Sequence, residues 1–242
     1  STQAKTLFPY TTLFRSKKVE KVAGKAIQPL LAIAFLAVLV GLFYGLLKSP
    51  ADYQQGTMVR VMYIHVPAAW VSMMAYGFMA VMAFGYIVWR NPVCYIIARE
   101  IAPIGAVFTA MCLITGSIWG YPTWGTWWVW DARLTSVLIL FFLYLGFIAM
   151  NGAFHSEEKE AKSASILALV GAINLPIIKY SVDWWNTLHQ PASVFKLSGP
   201  AIHMSMLKPL LIMGVAYMAI FFAALSIRVI AAIYQKQLER LQ

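Results

Sequence analysis

The sequence predicts an all-α integral membrane protein with six transmembrane helices, and three observations carry that reading. The 242 residues are 61% hydrophobic and only 12% charged, with a mean hydropathy of +0.70, far from the roughly 25% charged usage of soluble domains. Six apolar runs approach the roughly 20 residues that an α-helix needs to cross a hydrocarbon core about 30 Å thick. Between the third and fourth runs, residues 119–131 hold five tryptophans in thirteen positions.

The amino-terminal stretch Thr6 to Ser16 reads like a translated library adapter, so residues 1–16 are expected to be a non-native leader and 17–242 a single six-helix membrane domain. The first run, Pro29 to Leu47, follows the basic cluster Lys17, Lys18, Lys21 and Lys25. It is too long for a signal h-region and has no small-residue cleavage site, so it is expected to remain as an anchor. The second span is predicted over Pro67 to Trp89, with Pro67 as a favoured first-turn residue. The third covers Ile101 to Ile118, the fourth Leu134 to Met150 and the sixth Pro209 to Ile233. The fifth, Ser165 to Tyr180, is interrupted by Asn174, Pro176 and Lys179, although a lysine near a span end can snorkel to the interface.

An even number of spans puts both termini on one side. Basic residues collect there: the amino-terminal cluster, Arg90, Arg99, Lys159, Lys162, Arg228, Lys236 and Arg240. Lys48, Arg60, Arg133, Lys196 and Lys208 fall on the other face. The positive-inside rule therefore makes the termini cytoplasmic and the tryptophan segment external. The net charge of +10 reports orientation in the bilayer, and no nucleic-acid-binding pattern accompanies it.

Tryptophan gathers at membrane interfaces as an anchor, yet one or two rings per helix end suffice for that. Five rings with glycines between them suit a surface on which a large flat apolar ligand stacks. His65, just before Pro67, and His189, which follows Asp183-Trp184-Trp185-Asn186, lie at the same face. By position alone each is open between interface packing and metal binding. His203 stands near the outer start of the last helix, and His155 falls in a solvated cytoplasmic loop with Glu157, Glu158 and Glu160. A planar tetrapyrrole would account for the three outer segments together. Heme iron takes axial imidazoles, a porphyrin face stacks on aromatic rings, and its propionates attract cationic side chains. Arg60 and Arg133 are the candidates for those propionates, with snorkelling or an Arg133–Asp131 pair as the alternative. Asp131 is expected to cap the following helix or to orient Arg133.

Trp119-Gly120-Tyr121-Pro122-Thr123-Trp124-Gly125-Thr126-Trp127-Trp128-Val129-Trp130-Asp131-Ala132-Arg133-Leu134-Thr135 resembles the WWD signature of the heme-handling protein family. Its context is similar to the CcmC branch of bacterial cytochrome c maturation. Met62-Tyr63-Ile64-His65-Val66-Pro67-Ala68-Ala69-Trp70 and Trp184-Trp185-Asn186-Thr187-Leu188-His189-Gln190 agree with that branch, as does the six-span layout. The resemblance implies that His65 and His189 are axial ligands of heme b, carried as cargo at the periplasmic face of the inner membrane. It implies that Trp119, Gly120, Trp124, Trp127, Trp128, Trp130 and Asp131 form the platform presenting its edge, with Arg60, Arg133, Trp184 and Trp185 around it. The implied partners are a periplasmic heme chaperone (CcmE), ABC-type subunits (CcmA and CcmB) and a small membrane protein (CcmD).

The chain has no Gly-x-x-x-x-Gly-Lys-Ser/Thr loop, no Cys-x-x-Cys-His and no Cys-x-x-Cys. ATP dependence must then come from a partner, and no catalytic residues are expected. Cys94 and Cys112 map to different depths and read as apolar fillers. Two other classes remain open. A b-type electron-transfer subunit would place histidines within its spans, and a secondary transporter would place polar residues in broken helices at the midplane, of which Asn174 and Pro176 are the one hint.

Overall fold

In the computed structural model, residues 10–189, 193–194 and 199–239 are described, with side chains from Lys17 onward. Gln190, Lys196 and Arg240 lie outside the described residues. The chain is an all-α membrane protein. Among the described residues, six helical stretches are long and apolar enough to cross a bilayer: Lys17–Lys48, Thr57–Trp89, Pro92–Trp124, Ala132–Ala149, Glu157–Trp184 and Met204–Leu238.

Helix α1 (Tyr10–Leu42) ends in a π-helical turn, Phe43–Lys48. That turn brings Gly45 against the ring of Tyr63, where a β-carbon would meet the ring at 2.8 Å. A short loop follows in which Asp52 Oδ1 accepts from the backbone N–H groups of Gln54 and Gln55, both at 2.9 Å. Gly56 closes it with φ +57°, a left-handed conformation that glycine adopts without steric cost. A 3-10 turn, Thr57–Val61, then runs into α2 (Met62–Trp89). This helix starts five residues before Pro67, so Pro67 lies inside it and His65 sits on its first turns, whereas the sequence reading began the span at the proline.

Asn91 caps α3 (Pro92–Trp124) by accepting from Val93 N, with Pro92 at the first helical position. α3 extends six residues beyond Ile118, so the first part of the tryptophan segment is helical, not loop. Gly125, with φ +75°, ends it, its N–H donating to the Tyr121 carbonyl. α2 and α3 pack against each other, and both bury small residues at helical spacing in the core: Ala68, Ala75 and Ala83 on one, Ala98, Ala102 and Cys112 on the other. Small side chains let membrane helices approach closely, and dispersion contacts then hold them.

α4 (Ala132–Ala149) lies against α3, and its Tyr144 fills the space over Gly105 and donates to the Ser72 carbonyl at 2.8 Å. The fifth span is two helices, α5 (Glu157–Gly171) and α6 (Asn174–Trp184). The break has a sequence cause: Pro176 has no N–H to offer the Ala172 carbonyl, and Leu175 N takes that acceptor instead at 3.1 Å. Asn174 turns its buried amide to the Ser136 carbonyl of α4 at 2.8 Å, satisfying a polar group that lipid could not. α7 (Met204–Leu238) starts at His203, whose Nδ1 accepts from Ser205 N, and packs along α1.

Opposite charges pair at the end of the bundle away from the tryptophans. Glu100, buried on α3, meets Arg228 at 2.9 Å and Arg99 at 3.1 Å, Arg90 approaches Glu158 at 3.6 Å, and Lys236 binds Glu157. His155 is exposed there, and no disulfide joins Cys94 and Cys112.

Candidate functional site

The other end gathers the last turns of α3, the start of α2, the start of α4 and the loop after α6. His65, on α2, points its Nδ1 at the Cys112 carbonyl of α3, 3.0 Å away, and at Thr115 Oγ1, 3.1 Å away. A carbonyl only accepts, so Nδ1 carries the proton and Nε2 keeps its lone pair. The ring lies edge-on to Trp119, with centroids 5.7 Å apart at 77°. Trp119 is itself fixed by its indole N–H, which donates to Gln55 Oε1 at 2.8 Å, so the short loop before α2 braces the aromatic wall.

His189 is held in the same manner from a different element. Its Nδ1 donates to Asp131 Oδ2 at 3.2 Å, and its ring meets Trp124 edge-on at 4.9 Å and 66°. Asp131 is buried and its other oxygen accepts from Leu134 N at 2.8 Å, capping α4. Burial pulls the His189 imidazole below the usual histidine range, with Asp131 acting against that shift. At neutral pH the ring is therefore neutral, the form that coordinates metals. His65 and His189 lie within electrostatic reach of each other and of Arg133.

The remaining residues divide into those that build this centre and those around it. Gly120 is buried where a β-carbon would meet the Trp124 ring at 2.8 Å, so its lack of a side chain leaves the space that ring occupies. Trp127 stacks on Tyr121 at 4.4 Å and 18°, and Trp128 meets Trp130 edge-on at 5.5 Å. Trp127 and Trp130 are 57% and 75% exposed, which makes them an open apolar surface on the segment between α3 and α4. Trp128 turns inward, and among the described residues its buried indole N–H has no acceptor. Trp184 closes α6, stacked on Tyr180 at 5.3 Å and edge-on to Trp185. Among the described residues this pair makes its ring contacts with Tyr180 and with each other, not with the histidines.

The two arginines separate. Arg133 does not pair with Asp131. It crosses to α6, donating from Nε to Ser181 Oγ at 3.0 Å and from its terminal nitrogen to the carbonyls of Ile178 and Lys179 at 3.3 and 3.4 Å. A planar guanidinium with five donors is suited to gathering several oxygens. Arg60 donates to the Ser49 carbonyl at 3.0 Å, and its buried Nε has no acceptor among the described residues. Thr115, Gln55 and the Cys112 carbonyl were not singled out from the sequence. The signal available was the four-residue spacing of Thr115, Trp119 and Thr123 along one face of α3, which continues the helix into the tryptophan segment.

Comparison with known proteins decides the family. A sequence profile described as CcmC, heme exporter protein C, matches residues 10–242. The chain belongs to the heme exporter protein C family. It is 53% identical over 196 residues to the heme exporter protein C of Bradyrhizobium diazoefficiens, covering 81% of this chain and 74% of that one. It is 47% identical over 218 residues to the protein of the same name from Haemophilus influenzae, covering 90% and 87% of the two chains. A putative cytochrome c biosynthesis ccmC-like mitochondrial protein of Marchantia polymorpha is 42% identical over 210 residues, covering 86% and 89%.

Proposed function

We propose that this protein binds heme between His65 and His189 and presents it to the periplasmic chaperone CcmE for cytochrome c maturation. The observation that carries the reading is the matched setting of two imidazoles: each commits Nδ1 to a protein acceptor and each lies edge-on to a signature tryptophan, Trp119 or Trp124. Second-partner hydrogen bonds of this kind orient metal-ligating histidines and raise their basicity. Among the described residues no group of three or more His, Cys, Asp or Glu side chains gathers as a metal site. Two imidazoles alone are few for a bare ion and suit iron that already carries a macrocycle. The relatives' names, heme exporter and cytochrome c biosynthesis protein, support the same cargo.

The cargo is read as heme b, its faces against Trp119, Trp124 and the exposed rings of Trp127 and Trp130, with Trp128 turned inward beside them. The orphaned donors Arg60 Nε and Trp128 Nε1 fit a ligand bearing carboxylates. Arg133, committed to α6, supports the site from behind. The basic residues at the opposite end support an inner-membrane topology with cytoplasmic termini and a periplasmic heme site. ATP-driven release falls to CcmA and CcmB, with CcmD in the same assembly, because this sequence carries no phosphate-binding loop.

The test is the absorption spectrum of purified protein. His65→Ala and His189→Ala should each change it, the double variant should lose stable heme, and His155→Ala should do neither. A double variant that keeps its heme content and spectrum would overturn the assignment.

A further inference from the structure

We propose that Thr115, Gly116 and the Cys112 carbonyl form a seat on α3 that fixes His65 in its Nδ1-protonated tautomer, leaving Nε2 as the nitrogen turned to iron; this rests on the reading of His65 as an axial ligand. Nothing in the tryptophan signature includes these positions, yet they make the polar contacts of the His65 ring. The Thr115 hydroxyl donates to the Met111 carbonyl at 2.6 Å. Its proton is thereby spent inside its own helix, and Oγ1 faces the imidazole, 3.1 Å away, as an acceptor. The Cys112 carbonyl accepts from the same N–H at 3.0 Å. With the Thr115 hydroxyl committed to Met111, neither neighbour gives a hydrogen to the ring, so a proton on Nε2 with a bare Nδ1 would set a lone pair against two oxygens.

Gly116 supplies the third part. A β-carbon there would stand 3.0 Å from Cε1 and 3.4 Å from Nδ1 of His65, tight enough to push the ring off its acceptors. The ring thus rests on helix backbone at a position where any side chain would intrude, and Trp119 closes the next turn. His203 offers a contrast within the chain. Its Nδ1 accepts from Ser205 N at 3.3 Å, which requires the opposite tautomer. Thr115 and Gly116 are positioning residues: they act on iron through the orientation and proton of His65.

The experiment is nitrogen NMR of heme-free protein labelled with 15N-histidine, with His65 assigned by the signals lost in His65→Ala, alongside heme titration of the same samples. The wild type should show Nδ1–H at His65 and Nε2–H at His203. Thr115→Val keeps the shape but removes the acceptor, and Gly116→Ala displaces the ring. Both should move His65 towards a mixture of tautomers and weaken heme binding by about tenfold, the lower end for loss of an outer partner. Thr115→Ser should leave both readouts as in the wild type, which separates a lost acceptor from a packing defect. An Nε2–H tautomer at His65 in the wild type, or a His65 signal unmoved by Thr115→Val, overturns the seat. Unchanged heme binding in His65→Ala overturns the ligand reading instead, while the nitrogen shifts still decide the seat.

Discussion

Asp131 holds two things at once: Oδ1 accepts from Leu134 N at 2.8 Å and Oδ2 accepts from His189 Nδ1 at 3.2 Å. One carboxylate therefore fixes the start of α4 and the orientation of an imidazole 58 residues later in the chain. The two roles are separable because an amide oxygen can still cap a helix while offering less charge to a histidine.

Asp131→Asn should keep the fold and weaken heme binding by about 10–100-fold, the usual cost of losing a partner behind a metal ligand. Asp131→Ala should add about 0.5–2 kcal/mol of lost helix-cap stability. Heme titration and thermal unfolding in detergent read the two effects apart. Equal unfolding of both variants would place the carboxylate's contribution in the histidine contact alone.

Arg133 and Arg60 should behave differently towards the propionates. Arg133→Gln loosens α6 and should weaken heme and heme dimethyl ester alike, because its guanidinium is occupied by Ser181 and two carbonyls. Arg60→Gln should weaken heme and leave the ester unaffected. Paired binding curves for the two ligands check this, and an Arg133 variant that discriminates between them would return it to the propionates.

Loss of one ring should misplace heme more than release it, since stacking on an aromatic ring is worth about 1–3 kcal/mol by analogy with nucleobases. Trp124→Ala and Trp128→Ala should lower heme loading of the chaperone more than heme content. Loading equal to wild type in a multiple-tryptophan variant, at matched expression, would assign the rings to membrane anchoring.

Membranes holding this protein and the chaperone without the ATPase should accumulate the chaperone–heme adduct, and release of the loaded chaperone should await ATP hydrolysis. Reconstituted vesicles with and without hydrolysable ATP make the comparison. Dissociation at one rate in both would remove the ATPase from that step.

Gly171 tests the packing. A β-carbon there would lie 2.0 Å from the Tyr76 hydroxyl, so Gly171→Ala should destabilise by about 1–3 kcal/mol, the usual range for overpacking. Adding Tyr76→Phe should recover part of it, as measured by thermal unfolding.

The spans were legible because a bilayer imposes a length of apolar sequence, and the interruption at Asn174 and Pro176 was legible because proline removes a donor. The end of α3 was not. Gly120, Pro122 and a run of tryptophans read as loop by composition, whereas the helix continues to Trp124 and stops at Gly125. The histidines and the tryptophan wall could be named from their motif. Their holders could not, since the Cys112 carbonyl belongs to every residue type and carries no sequence signal. The sequence left Arg133 open between the propionates, snorkelling and a pair with Asp131; three oxygens on α6 satisfy more of its donors than one carboxylate already engaged twice.

The divided fifth span changes which part of the molecule acts as the frame for His189. A straight rod from Glu157 onward would have tied that histidine to the opposite membrane surface. Instead α6 is fastened sideways to α4, at Ser136 through Asn174 and at Arg133 through Ser181. α4 also carries Asp131, so a shift of α4 would take cap, clamp and imidazole with it as one piece. The fourth helix is therefore the frame that carries the His189 ring, and a partner gripping α5 would reach both that frame and α2, the helix that carries His65.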